Sequence, residues 1–345
     1  DTAALADASH AIADALKRVD TSPRLSLTPY DDRADDTTLL RLAMLAARNA
    51  ASSASAFASS GGSPLTAIDI DGCRHLSKCA VTTSCLANPT LRELHLTRIG
   101  RASWTPEQLL RVTRCLEQLQ VLSADVRAHG ASFALLRLIS HPAVRLRKLV
   151  LHRAGLRGSD DVPLDELATA LKRKAEWLHD VDASSGGVTD AFEFVTRLLS
   201  GEDCQVRNVA LSGAGPQPLA ALEKLAASLA ATSRLEAPAL GNHFISGAGC
   251  SALAGAIGTH PSLRTLELEH NPILDAGATA LYDSLNAASP VRAVALSFVG
   301  AGNLACAALQ RAIHRGVQLH TVDLGGNLIS AEGAATLARC ITAPA

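Results

Sequence analysis

Leu225, Leu253, Leu281, Leu309 and Leu337 recur every 28 residues, and each has an apolar partner four positions on: Leu229, Ile257, Leu285, Ile313 and Ile341. A four-residue step keeps both side chains on one helical face, so one short helix is written five times. Between the helices lies a second phrase, Leu263-x-x-Leu266-x-Leu268-x-x-Asn271, which returns as Leu319-x-x-Val322-x-Leu324-x-x-Asn327. Its alternating apolar sites mark a strand with one face inward. A unit this small cannot bury its own apolar face. It must stack on copies of itself, and the chain then grows by addition.

The first apolar site of the strand phrase can be followed through Leu65, Leu91, Leu119, Leu146, Leu178, Val206, Leu235, Leu263, Val291 and Leu319, at intervals of 26, 28, 27, 32, 28, 29, 28, 28 and 28 residues. The clearest strands are Leu91–Leu96, Leu146–Leu151, Val206–Leu211 and Val291–Leu296. Pro89, Pro261 and Pro290 precede their strands and end the helix before. The long interval implies an insertion near Arg157–Pro163, and the repeat at Leu178 is degenerate, with Val181 and Ala183 in its later sites. A weaker unit is expected near Ser22, with Leu25 and Leu27 as its strand and Leu39, Leu42 and Leu45 on its helix. It leads into an Ala/Ser/Gly-rich loop over Ala50–Ser63. Leu5, Ile12, Leu16 and Val19 mark an amphipathic helix, either a cap or the tail of an earlier repeat. The domain reading is therefore 1–63 as a helical cap or degenerate repeat plus loop, then about ten repeats over 64–345. No polar unit closes Ile341–Ala345, so the sequence reads as a piece of a larger protein or as an end covered by a partner.

A net charge of -1 argues against a general nucleic-acid or membrane binder, and 3% aromatics leave few platforms for base stacking. The eight cysteines form no C-x-x-C; Cys73, Cys79 and Cys85 are spaced six apart, which suits neither a zinc knuckle nor a redox pair. No apolar run reaches the ~18 residues of a membrane span. Proline blocks the single sequon-like triplet, Asn88-Pro89-Thr90. These features point to a reducing, intracellular and cytoplasmic setting.

The 28-residue period, the Leu-x-x-Leu-x-Leu-x-x-Asn phrase and the loop-to-helix segments Asn271–Leu281 and Asn327–Ala338 resemble leucine-rich repeats of the ribonuclease-inhibitor type. The resemblance covers roughly 64–345. It implies an α/β solenoid, a horseshoe with parallel strands on the concave face and helices on the convex face. It implies no single job, because such folds inhibit nucleases, activate GTPases, sense ligands and brace ciliary or cytoskeletal assemblies. The closing Asn survives at Asn271 and Asn327, and Cys73 is an accepted substitute. Ile99, Ala154, Ala214 and Val299 are not equivalents.

On the expected concave face, Arg92, Arg147, Arg207, Arg264 and Arg292 share the second position of their repeats. His95, Arg98, Lys148, His152 and Arg153 concentrate positive charge around the repeats at Leu91 and Leu146. With Arg92 and Arg147 they form a candidate docking patch for an acidic protein surface. Glu267, Glu269 and Asp323 form a candidate acidic region farther along, and a partner could be oriented by the two charges. The plainer reading of the basic patch is a solvated face, since Arg is a common solubilising residue at that repeat position. The scattered histidines lack the convergence a metal needs. Gly300-Ala-Gly302-Asn-Leu-Ala305 fits a dinucleotide fingerprint but sits in a loop that recurs in every repeat. Trp104 and Trp177 are the two tryptophans; Trp104 reads as a packed loop residue or an interface anchor.

No catalytic residue, cofactor or metal is expected. The sequence points to a non-enzymatic protein–protein interaction scaffold, a structural or adaptor subunit of a multi-protein assembly in a setting such as a cilium or the cytoskeleton. The alternative is an enzyme regulator, either a small-GTPase activator or an inhibitor. No nucleic-acid partner and no membrane insertion are expected.

Overall fold

The computed structural model describes residues 24–27, 36–53, 65–70, 73, 76–96, 118–125, 136, 139–141, 144–152, 164–173, 177–185, 191–200, 204–211 and 216–342. They divide into two compact units, one of them reaching to His152 and the other continuing from Leu171. The amphipathic stretch over 1–19, the insertion near 157–163 and Trp104 lie outside the described residues.

The first unit carries β1 (Arg24–Ser26), α1 (Asp36–Ser53), β2 (Ala67–Asp69), α2 (Lys78–Ala87), β3 (Glu93–Leu96), β4 (Val121–Asp125) and β5 (Lys148–His152). Its strands pair in parallel, each with the next in the chain. Leu25, Ile68, Leu94, Leu122 and Leu149 fall in one register row and are all buried. The residues before and after each of them stand on the opposite face, as a two-residue side-chain period requires. Helix α3 (Leu164–Arg173) contains the division between the units.

The second unit alternates β6 (Asp180–Ser185), α4 (Ala191–Leu199), β7 (Asn208–Leu211), α5 (Leu219–Ala231), β8 (Ala237–Ala239), α6 (Gly247–Thr259), β9 (Thr265–Glu267), α7 (Leu274–Ser284), β10 (Ala293–Ala295), α8 (Asn303–His314), β11 (Thr321–Asp323) and α9 (Ala331–Thr342). Its strands are again parallel and in chain order. Pro238 lacks an N–H, and the pairing of β8 with β9 is reduced to Ala239 opposite Glu267. The recurring helix residues Leu225, Leu253, Leu281 and Leu309 are buried, as are the partners Leu229, Ile257 and Leu285. Consecutive helices pack against one another closely enough that a Cβ on Gly258 would collide with the Ser284 carbonyl.

The asparagines explain how one repeat is fastened to the one before. Asn271 is buried. Its Oδ1 accepts from the His243 and Ile245 N–H groups at 2.9 and 3.0 Å, and its Nδ2 donates to the Leu240 and Leu268 carbonyls, both at 2.9 Å. Asn327 repeats this pattern with the Val299 and Ala301 N–H groups and the Leu296 and Leu324 carbonyls. A turn that leaves its strand has backbone groups with no ladder partner, and one carboxamide supplies both donor and acceptor. At Cys73 the thiol donates to the Leu27 carbonyl at 3.7 Å, the thinner version of the same tie.

Candidate functional site

In the first unit the exposed strand face is mixed in charge. Arg92 and Arg147 are exposed, and their backbones flank Gln120: Gln120 N–H donates to the Arg92 carbonyl and Arg147 N–H donates to the Gln120 carbonyl, each at 2.7 Å. The two arginines thus stand two strands apart, ~10 Å at the usual strand spacing. Lys148 is exposed beside Arg147, opposite Val121. His95 is half-buried, with Asp69 and Ser123 on either side in register. Glu93, on the same strand, is ion-paired with Arg24. The structure therefore groups Arg92, Arg147 and Lys148, while Asp69 and Glu93 place negative charge among them. His152 ends β5 opposite Asp125; Arg98 and Arg153 lie outside the described residues.

In the second unit the arginine column is interrupted and partly spent. Glu236 comes between Arg207 and Arg264 in the backbone ladder and pairs with Arg207 at 3.5 Å. The Arg292 guanidinium donates to the Ser289 and Val291 carbonyls at 3.0 and 2.8 Å.

The acidic residues behave differently. Glu267 and Glu269 border an open groove of about 490 Å³, lined also by Ala210, Ala239, Gly241, His270, Ser297 and Phe298. The depression follows from small residues. Position 5 of the strand phrase holds Ala210, Ala239, Glu267 and Ala295 in adjacent strands, so Glu267 rises with alanine on both sides. The Glu269 carboxylate passes 3.5 Å from where a Cβ on Gly241 would sit. Partial burial, and then the Glu269 charge, push the Glu267 carboxyl above the usual carboxylate range. Asp323 lies on β11, two register steps from Glu267, and its carboxylate accepts the Gly325 N–H at 2.8 Å, which holds its pKa down.

One lip of the groove is aromatic. His270 and Phe298 stack with ring centroids 4.8 Å apart and 6° between planes, and Phe298 is 58% exposed. Both belong to a column at position 8, where Asn242, His270, Phe298 and Gly326 have φ of 61°, 56°, 55° and 66°. The first three donate their N–H groups to the Glu269, Ser297 and Gly325 carbonyls of the following repeat, at 2.9, 3.0 and 2.9 Å. The left-handed turn thus prolongs the ladder past the strand.

The fingerprint-like loop has a structural use. Gly302 N–H and Ala305 N–H, at the start of α8, both donate to Asp275 Oδ1 of the preceding repeat, at 2.8 and 2.9 Å. The anion position of that helix is filled by the chain's own carboxylate.

Strand, turn, closing Asn and helix recur here in one fixed order, and residues 259–281 match the sequence family described as leucine rich repeat. That stretch is a leucine-rich repeat. No curated protein matches the chain. Among solved structures, a leucine-rich-repeat protein from Legionella pneumophila is similar over 81% of this chain and 92% of its own, with 14% identity and a TM-score of 0.48. An internalin from Listeria monocytogenes is similar over 80% and 72%, with 18% identity and a TM-score of 0.42. The tropomodulin C-terminal domain of Caenorhabditis elegans is similar over 44% and 90%, with 19% identity and a TM-score of 0.36.

The leucine-rich-repeat frame also places residues that residue type alone hides. Counting nine from Leu235 puts His243 in the closing-Asn slot. There it is fully buried, edge-on to Phe192 at 5.9 Å, with neither ring nitrogen hydrogen-bonded. Burial holds its pKa below the ordinary histidine value against the nearby Leu211 carbonyl. Counting eight finds the aromatic lip. Among the described residues no cluster of three His, Cys, Asp or Glu could hold a metal ion, and no helix is long and apolar enough to cross a membrane.

Proposed function

We propose that the chain is a non-enzymatic protein–protein interaction scaffold, acting as a structural or adaptor subunit of a larger intracellular, cytoplasmic assembly, in a setting such as the cilium or cytoskeleton. Its repeats are read as the ribonuclease-inhibitor type beginning at residue 64, with residues 1–63 as a cap or degenerate unit. Charged side chains at Arg92, Arg147 and Lys148 meet an acidic partner surface, joined by His95, Arg98, His152 and Arg153; Glu267, Glu269 and Asp323 form the acidic counterpart.

The observation that carries this reading is the division of labour in the repeats. The Asn271 and Asn327 carboxamides are consumed in fastening repeat to repeat, whereas exposed strand positions hold charge on a backbone ladder rigid enough to present it. Arginine suits that role, since its fork grips a carboxylate with two bonds. The test is cross-linking mass spectrometry on the protein captured from its own cells. Links from Lys148 to one recurrent protein, abolished by Arg92→Glu with Arg147→Glu, are expected. A chain that remains monomeric and without a recurrent cross-linked partner in native extracts refutes the scaffold reading.

A further inference from the structure

The groove across β7 to β10 differs from the rest of its unit in how its polar and apolar groups are used. Three other acids of the second unit are engaged internally. Asp283 is gripped by Arg311 at 2.9 and 3.3 Å and by Arg315 at 3.3 Å, Asp275 caps α8, and Asp323 closes its own turn. Among the described residues, the Glu267 and Glu269 carboxylates have neither an ion pair nor a hydrogen bond, although they repel one another at the edge of a depression. Beside them stands an exposed ring, Phe298, held against His270. A large exposed aromatic beside uncompensated charge, over a floor of alanines, is a surface incomplete in the free chain.

We propose that this groove is the docking site for an extended, arginine-bearing segment of a partner protein, with the guanidinium between Glu267 and Glu269 and the flanking apolar side chains on the His270–Phe298 lip. The assignment rests on the scaffold reading and deepens it by naming the chemistry of one partner. Charge complementarity selects the occupant. Two acidic side chains with no counter-charge call for a cation, and a forked, planar cation can bond both at once. The stem of an arginine is aliphatic, so it can cover a ring while its head reaches the carboxylates. A lysine stem can cover the ring too, but its ammonium is a point donor without the planar fork that bridges two carboxylates. A groove of about 490 Å³, open along its length, has room for several side chains of a chain laid across the strands. The alanines at 210 and 239 are part of the recognition, because a larger residue at either would fill the floor.

The test uses the whole chain and a fluorescein-labelled ten-residue peptide with a central Leu-Arg-Leu in a Gly/Ser background, followed by fluorescence anisotropy. Replacing the arginine by citrulline, which keeps shape and removes charge, is expected to weaken binding by about tenfold or more. The Glu267→Gln/Glu269→Gln variant should do the same, and Phe298→Ala should weaken it by roughly threefold. Melting curves for the variants report that the fold is kept. Ala239→Leu is a second, independent block, expected to abolish binding by filling the floor.

Equal binding of the arginine and citrulline peptides overturns the proposal. So does binding that survives both the double Gln variant and Ala239→Leu, the absence of binding at any attainable peptide concentration, or equal competition by spermine, which means unspecific cation attraction. In each of those cases, recurrent cross-links through Lys148 that depend on Arg92 and Arg147 would leave the scaffold reading standing, so the two ideas fail separately.

Discussion

Asn271→Ala tests whether one carboxamide fastens two repeats. The substitution removes Oδ1, on which the His243 and Ile245 N–H groups depend, and both of those residues are buried. Each buried donor left without a partner costs about 1–3 kcal/mol, so the pair alone predicts about 2–6 kcal/mol, with a central value near 4. The freed Leu240 and Leu268 carbonyls add to this less sharply, since a carbonyl tolerates a lost bond better than an N–H. Asn327→Ala removes the same chemistry, with Val299 and Ala301 also buried, but from a half-buried side chain in the last described repeat, so water can enter the space the carboxamide leaves. Its expected cost is about 1–2 kcal/mol. Urea denaturation followed by circular dichroism measures both, and hydrogen exchange adds a local readout. Protection should fall at His243 and Ile245 in Asn271→Ala before it falls elsewhere. Equal costs for the two variants, or unchanged exchange at His243 and Ile245, would refute the reasoning.

Three further outcomes follow from groups already described. His243 and His260 are both buried, and burial holds both below the usual histidine pKa; His260 is further fixed by Thr232 at 3.0 Å. The unfolded chain therefore binds protons first as pH falls, so the stability is fully present above the unfolded value near 6.5 and is lost below it. His243→Asn should flatten that slope in urea midpoints measured from pH 5 to 8. Tyr282 is buried with no partner for its hydroxyl, so Tyr282→Phe should leave the melting temperature unchanged or raise it, by up to about 1 kcal/mol of stability. Asp275→Ala strips two N–H groups of α8 of their acceptor and should cost about 1–2 kcal/mol in urea titration, an effect that Asp275→Asn largely spares.

The sequence makes the architecture legible because periodicity is a property of burial. Each of the ten first apolar sites, from Leu65 to Leu319, lies two residues before an observed strand, from Ala67 to Thr321. What stays hidden depends on neighbours that share no sequence window. The groove exists because Ala239 and Ala295 flank Glu267 in space, one period to either side, with Ala210 a further strand away, and alanine in a strand carries no mark of what stands beside it. The internal pairing of Arg207 and Arg292 was hidden for the same reason, since an arginine at position 2 reads as exposed charge whatever it meets. The left-handed turn at His270 and Phe298 was obscured by residue type, because glycine would normally announce it and does so only at Gly326.

The reach from Asp275 to the start of α8 also bears on how such a gene can change. Donor and acceptor lie 27 and 30 residues apart, and the Asn ties span 26 to 31. The turns and helix start held by Asn271, Asn327 and Asp275 are thus finished by residues encoded one period away. A one-residue deletion between them changes the spacing of every tie that spans it, while ties lying wholly before or after it keep theirs. Unequal recombination that removes or copies a whole period keeps each donor facing an acceptor slot. Such a chain can therefore gain or lose whole periods without disturbing the ties on either side.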